Sequence, residues 1–305
     1  MRLILWHTLA MTQAPISSMN TFHSVSKQSL ALANEHYENF PVASVLLPSH
    51  LREPIGLIYS FARQADDFAD EGELTIEQRL DLLNGFRDEL DLLRAYIKPQ
   101  TSFFVALGTM LRSKKLPLEP FYDLLDAFSQ DVVKTRYANY AEVMDYCARS
   151  ANPIGRLLLH LYQKSTPENI AYSDNICSAL QIINFLQDIA IDFKKNDGKQ
   201  RIYMCQDELA AFSIPESQIE AQLADEQWQR FMRFNLQRVS ALLQSGKPLG
   251  RILPGRIGLE MRMIIAGGER IIHKINQANG DIFRHRPMLN AWDWLIMGFK
   301  ALFRI

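Results

Sequence analysis

The chain runs to 305 residues, 48% hydrophobic and 22% charged, near globular averages of roughly 45–50% and 25%. That excludes a disordered chain and leaves ample apolar surface for a core. Its 33 basic and 34 acidic residues leave a net charge of −1, so no overall field draws it to nucleic acid and no nucleic-acid partner is expected.

In chain order, residues 1–20 are expected to form a weakly ordered tail, with Met1, Met11 and Met19 as alternative starts; residues 21–305 are expected to form a single domain. Met1–Met11 lacks the roughly 7–15-residue apolar core and clean cleavage site of a secretory signal. No run reaches the ~18–20 uninterrupted apolar residues of a membrane span. Cys147, Cys177 and Cys205 are odd in number and contain no CxxC, which reads as reduced thiols in a cytoplasmic protein.

Helical spacing recurs along the chain. Arg52-Glu-Pro54 opens a helix that continues toward Glu71, with proline where a first turn tolerates it. Thr75 and Gln78 form a capping box ahead of Leu83, Phe86, Leu90, Leu93 and Ile97, predicting a helix near 75–97. Further helices are predicted from Asn139 through Leu161, Thr166-Pro167 to about Lys194, Pro215-Glu216 to about Leu243, and Gly255 to Asn279 with Gly280 as the stop. A last helix, rich in tryptophan and phenylalanine, follows Pro287 and Asn290. Glycine (14) and proline (13) are sparse, and neither a βαβ unit nor a repeat is visible, so the expected fold class is all-α: a helical bundle with its site built between helices.

Two acidic clusters carry the chemistry. In Arg63-Gln-Ala-Asp66-Asp67-Phe-Ala-Asp70-Glu71, helical spacing puts Asp66, Asp67 and Asp70 on neighbouring points of one face. Like charges there repel, and with Phe61, Ala62, Ala65, Phe68 and Ala69 interspersed the cluster needs a cation. Asn184, Asp188 and Asp192 stand at i, i+4 and i+8 among Ile183, Phe185, Leu186, Ile189 and Ile191, drifting only ~40° over two turns. Oxygen-only donors suit Mg²⁺, with Mn²⁺ as the alternative. Two such helices are suited to a diphosphate, whose departure the metal eases.

These residues resemble the paired aspartate-rich motifs of the squalene and phytoene synthases. Tyr59-Ser-Phe61-Ala-Arg63 resembles the family's lead into the first motif, Tyr146-Cys147 through Gly155 its central helix, and Arg201-Ile-Tyr203 the segment after the second motif. The resemblance spans about His36 to Leu302. It implies a single-domain isoprenoid-synthase-like helical bundle with a central apolar cavity. It also implies that Tyr59, Arg63, Arg201 and Tyr203 contact diphosphate and that Tyr146 sits near the reacting carbons.

Two departures, Gln187 where the family commonly has arginine and Ser150-Ala-Asn152-Pro153 in the central helix, resemble the bacterial hydroxysqualene synthase branch, as does His36-Tyr-Glu-Asn-Phe-Pro41. That branch turns presqualene diphosphate and water into hydroxysqualene and diphosphate in hopanoid or squalene formation, without NADPH. Ser150 or Asn152 could orient the water, or Asn152-Pro153 simply kinks the helix by freeing the Arg149 carbonyl. Gln187 is expected to act on the product. The alternatives are condensation of two prenyl diphosphates to presqualene diphosphate, squalene or phytoene, and a silent assembly subunit. Trp292, Trp294, Leu295, Met297, Phe299, Leu302 and Phe303, with Lys300 and Arg304 interleaved, suit the headgroup boundary and predict peripheral attachment to the inner face of the membrane.

Overall fold

The computed structural model describes residues 48–194, 200–284 and 286–303; the 1–20 tail, the alternative starts and the His36–Pro41 stretch lie outside them. The described chain divides into two compact units. One holds the residues up to Val133 and Pro153–Ser165; the other holds Lys134–Asn152 and everything from Thr166.

The first unit begins with four helices: α1 (Ser49–Asp70), α2 (Ile76–Arg94), α3 (Ser102–Lys114) and α4 (Glu119–Val133). Both arms of the Thr75–Gln78 capping box are present, with Gln78 N donating to Thr75 Oγ1 at 3.2 Å and Thr75 N to Gln78 Oε1 at 2.9 Å. Helix α1 starts earlier than expected, so Pro54 lies inside it. The N–H that proline lacks would have bonded His50, whose exposed carbonyl turn water can serve. The core of this unit is a phenylalanine cluster, where Phe61 meets Phe121 edge-on at 4.9 Å and Phe86 meets Phe104 at 4.9 Å.

The second unit opens with β1 (Arg136–Tyr137) and α5 (Tyr140–Ser150), capped by Asn139 Oδ1 accepting from Glu142 N at 3.1 Å. The predicted helix to Leu161 is in fact two. Helix α5 ends at Ser150, and α6 (Asn152–Leu161) begins after Ala151, because Pro153 has no N–H for the Arg149 carbonyl. The boundary between the units falls at that break, after Asn152.

Next come α7 (Pro167–Lys194), β2 (Ile202–Cys205) paired parallel to β1, α8 (Gln206–Ala211), α9 (Glu216–Glu220) and α10 (Glu226–Gly246). The single helix expected from Pro215 to Leu243 is broken between α9 and α10, where Gln222 turns left-handed and Asp225 caps the new helix through Trp228 N at 2.9 Å. Short α11 (Leu249–Ile252), then α12 (Gly255–Gln277) and α13 (Ala291–Phe303), complete the chain.

Helix α7 is long and apolar enough to cross a membrane, but 72% of its most apolar window is buried in the protein, as expected of a helix enclosed by its neighbours. Helix α10 packs along it so closely that a Cβ on Gly246 would lie 2.6 Å from the Tyr172 carbonyl oxygen. Several helices stop on left-handed residues that are not glycine: Lys115, Gln163, Ser213, Gln222 and Asn279.

Candidate active site

The first acidic cluster sits in the last two turns of α1. Asp66 is buried, Asp67 and Asp70 are half-buried, and Ala62, Ala65 and Ala69 beside them are fully buried. Burial pushes the Asp66 carboxyl up to about 7, with Asp70 adding to the rise and Arg63 opposing it. Burial likewise lifts Asp67 to about 6 against the pull of Arg63. The expectation that these acids lack a cation of their own is corrected. Arg63 lies 2.7 Å from Asp67 and 3.7 Å from Asp66, at the i+4 and i+3 spacings that bring helical side chains together. Tyr59, one turn earlier, is buried, and that burial pushes its hydroxyl up to about 12, keeping it a neutral donor.

Sequence reasoning missed the residue that holds this end of α1. Arg79, from α2 and 6% exposed, donates to the carbonyls of Phe68 (3.0 Å), Glu71 (2.9 Å) and Gly72 (2.7 Å). It satisfies the acceptors that a helix C-terminus leaves open, directly beside the acids. The arginine that directly follows the Thr75–Gln78 capping box was the available signal.

The second cluster lies on α7. Asn184 and Asp188 are buried and Asp192 is half-buried, all on one stripe as spaced. Here too the protein supplies a cation: Arg286 grips Asp188 at 2.5 Å and 3.1 Å through two nitrogens. No pattern in the sequence joins residues 98 apart. Gln187 is buried and donates to the Pro287 carbonyl at 2.7 Å, so it fastens the segment that carries Arg286.

Both clusters offer hard oxygen donors, and the raised Asp66 and Asp67 carboxyls mark a place where added positive charge is favourable; the donor sets fit Mg²⁺. Among the described residues, neither cluster taken by itself gathers three acids into one cage, which suits an ion that usually takes one or two protein carboxylates. Among the described residues, Cys205, Asp207 and Glu208 do bring their donor atoms within 4.8 Å of one another. Glu208, however, is ion-paired with Arg238, and burial pushes the Cys205 thiol up to about 12. That neutral thiol and committed carboxylate make a poor metal site.

Tyr146 is fully buried in an aromatic stack that the sequence only half revealed. Phe185 and Tyr203 lie face to face at 4.1 Å and 3°, Tyr146 stands 5.8 Å from Phe185, and Tyr137 closes the group at 5.5 Å from Tyr146. The pairing of β1 with β2 brings Tyr137 and Tyr203 together; Arg201, just before β2, is 3% exposed. One turn from Tyr146, Ser150 is fully buried and its Oγ has no hydrogen-bond partner. Asn152 is otherwise engaged, with its Oδ1 accepting from Ser178 Oγ at 2.9 Å.

The family model for squalene/phytoene synthase matches residues 33–293. The hydroxysqualene synthase of Rhodopseudomonas palustris is 34% identical over 266 residues, 87% of this chain and 88% of that protein. The hydroxysqualene synthase of Sinorhizobium fredii is 33% identical over 269 residues, with the same shares. Among solved structures, squalene synthase HpnC from Alicyclobacillus acidocaldarius superposes with a TM-score of 0.75 at 31% identity, over 83% of this chain and 94% of that one. A dehydrosqualene synthase shares the fold, with a TM-score of 0.77 at 16% identity. With acid-bearing helices, a mainly helical fold and relatives matched over most of their length in agreement, the chain belongs to the squalene/phytoene synthase family, a family of isoprenoid synthases.

Proposed function

We propose that this chain converts presqualene diphosphate and water to hydroxysqualene and diphosphate, as a step in squalene or hopanoid formation. The observation that carries the reading is Ser150: a fully buried hydroxyl with no protein partner, one helical turn from Tyr146 in the aromatic stack. A buried hydroxyl left without a partner is costly unless a ligand or water completes it.

The C–O bond to diphosphate breaks and the oxygen keeps the electron pair; the cyclopropylcarbinyl cation left behind rearranges, one ring C–C bond breaking, before water adds. Mg²⁺ would be held by Asp66, Asp67 and Asp70 on α1 and by Asn184, Asp188 and Asp192 on α7, and would supply charge neutralisation for that departure. Arg63, Arg201 and the Tyr59 and Tyr203 hydroxyls bind diphosphate oxygens. The ring faces of Tyr146, Phe185 and Tyr203 favour a neighbouring carbocation. Ser150 holds the water whose oxygen forms the new C–O bond, and the proton it sheds passes to the departing diphosphate or to bulk water. Gln187 positions the Arg286 segment, and Asn152, bonded to Ser178, fixes the helix break behind Ser150. Substrate and product carry long hydrocarbon chains, which supports a cytoplasmic enzyme working at the inner membrane face.

The test is purified protein with presqualene diphosphate and Mg²⁺ in ¹⁸O-labelled water, without NADPH. The expected product is hydroxysqualene carrying the label. Turnover only of two prenyl diphosphates, giving presqualene diphosphate or phytoene, overturns the assignment. Ser150→Ala, which breaks no hydrogen bond within the protein, is expected to leave the unfolding midpoint in place and divert about tenfold more product to unhydroxylated polyenes. An unchanged product ratio moves the water elsewhere.

A further inference from the structure

The last helix of the second unit carries its large apolar side chains on the outside. Helix α13 buries Asp293, Met297 and Ala301 and exposes its large apolar residues: Trp292, Leu295, Ile296, Phe299, Leu302 and Phe303, with Trp292 at 74% and Leu302 at 66%. At 100° per residue those six occupy an arc of about 120°, roughly opposite the buried stripe.

The inward face is locked. Asp293 is fully buried and takes Arg270 and Lys274 of α12 at 2.5 Å each, plus the Asn290 N–H at 2.8 Å. Burial raises its pKa, but the Lys274, Asn290 and Arg270 hydrogen bonds outweigh that and hold the carboxyl down at about 2. The ion pairs fix which side of α13 faces out, so the exposed apolar arc is a stable property of the folded unit.

The charge around the arc is one-sided. Asp293 is the acid of α13, and it is turned inward. Beside the helix lies a pocket lined by Lys247, Arg251, Arg262, Lys300 and the lone acid Glu269. Arg262 spans it, donating to the carbonyls of Gly250 and Ala301 at 2.6 Å each, and so ties α11 to α13. Glu269 holds Lys247 at 3.0 Å and Lys300 at 3.8 Å, and cations outnumber acids among the residues that line the pocket. An apolar arc free of acids, with tryptophan at one end and cations along its flank, matches the boundary between acyl chains and anionic headgroups.

We propose that α13 and the Lys247–Arg251–Lys300 pocket form one docking surface for an anionic phospholipid bilayer. The six apolar side chains enter the acyl boundary and the pocket takes a lipid phosphate. This rests on the membrane-facing enzyme proposed above and gives that attachment its surface and headgroup chemistry.

The test uses the full chain and co-sedimentation with vesicles, read without turnover. One set is phosphatidylcholine alone and the other a phosphatidylcholine–phosphatidylglycerol mixture, each in low and high salt. Expected are about tenfold tighter binding to the anionic vesicles and a loss of that margin in high salt. The double variant Leu295→Ser/Phe299→Ser is expected to lose binding to both sets about tenfold, with its circular dichroism unchanged. Arg251→Gln/Lys300→Gln is expected to lose only the anionic preference. Wild-type protein that stays in the supernatant, or a serine variant that binds as wild type does, overturns the proposal. So does a self-associated wild type that the serine variant renders monomeric with vesicle binding unaltered, which would make the arc a contact between copies. Turnover of detergent-dispersed presqualene diphosphate, measured on the same variants, separates failure of docking from failure of the assigned reaction.

Discussion

Asp188 is held by two nitrogens of Arg286 and is 3% exposed. Truncating it removes a carboxylate donor and also strands a largely buried guanidinium. Asp188→Ala is therefore expected to abolish turnover and lower stability by about 2–3 kcal/mol, and adding Arg286→Ala is expected to cost less than the two changes summed. Urea denaturation of the single and double variants reads both terms. Glu260 presents the opposite electrostatics: its Oε2 is buried without a hydrogen-bond partner, and burial pushes its pKa up to about 7. A carboxyl raised on folding favours the protonated state, so its contribution is intact below the unfolded pKa of about 4.3 and is lost as pH rises to 7 and beyond. The penalty above that range is on the order of 3 kcal/mol, and Glu260→Gln is expected to remove the corresponding pH slope from urea midpoints measured between about pH 5 and 8. At this scale the sequence displays what one helix brings together. The i, i+4, i+8 ladder of Asn184, Asp188 and Asp192 and the reach of Arg63 to Asp67 both follow from helical spacing. Arg286 on Asp188, the Asn152–Ser178 bond and Tyr137 in the stack depend on chain segments meeting in space, which no local pattern encodes.

Arg79 links two elements, drawing together the end of α1 and the start of α2. Arg79→Ala leaves three carbonyls without their charged donor, at a cost of about 2–3 kcal/mol. It is also expected to weaken Mg²⁺ binding several-fold by loosening the turn that carries Asp67 and Asp70, which isothermal titration with Mg²⁺ measures independently of turnover. The elements themselves were legible where the ends were marked chemically: Thr75 with Gln78, Asn139 with Glu142, and Gly280 after α12. They were misread where an interruption sits inside a continuing apolar pattern. Pro153 splits one expected helix, and Gln222 with Asp225 splits another, because periodicity survives a short break that the backbone does not. Helices α3 and α4 escaped naming, although Thr101 caps α3 ahead of Phe103, Phe104, Leu107, Met110 and Leu111. For α13, composition predicted a helix rich in tryptophan and phenylalanine, which is present, but which residues face inward was decided by Asp293, whose partners Arg270 and Lys274 lie on another helix.

Neither of the two units is a continuous piece of chain; the backbone changes unit after Val133, Asn152 and Ser165. Such threading predicts that the units lose structure together. Among the described residues the tryptophans, Trp228, Trp292 and Trp294, all belong to the second unit, whereas the first has the phenylalanine cluster. Coincident midpoints for tryptophan fluorescence and far-ultraviolet circular dichroism are therefore expected in urea, and a separated fluorescence transition would show the second unit melting alone. The left-handed helix ends have a bearing on durability. Lys115, Gln163, Ser213 and Gln222 each hold a positive φ that glycine adopts without a steric penalty. The chain thus carries a reserve of thermal tolerance: glycine at these four stops offers up to roughly 0.5–1 kcal/mol apiece, at positions remote in sequence from the acidic motifs. A heat-hardened form of this synthase lies a few loop-edge substitutions away, with its chemistry left alone.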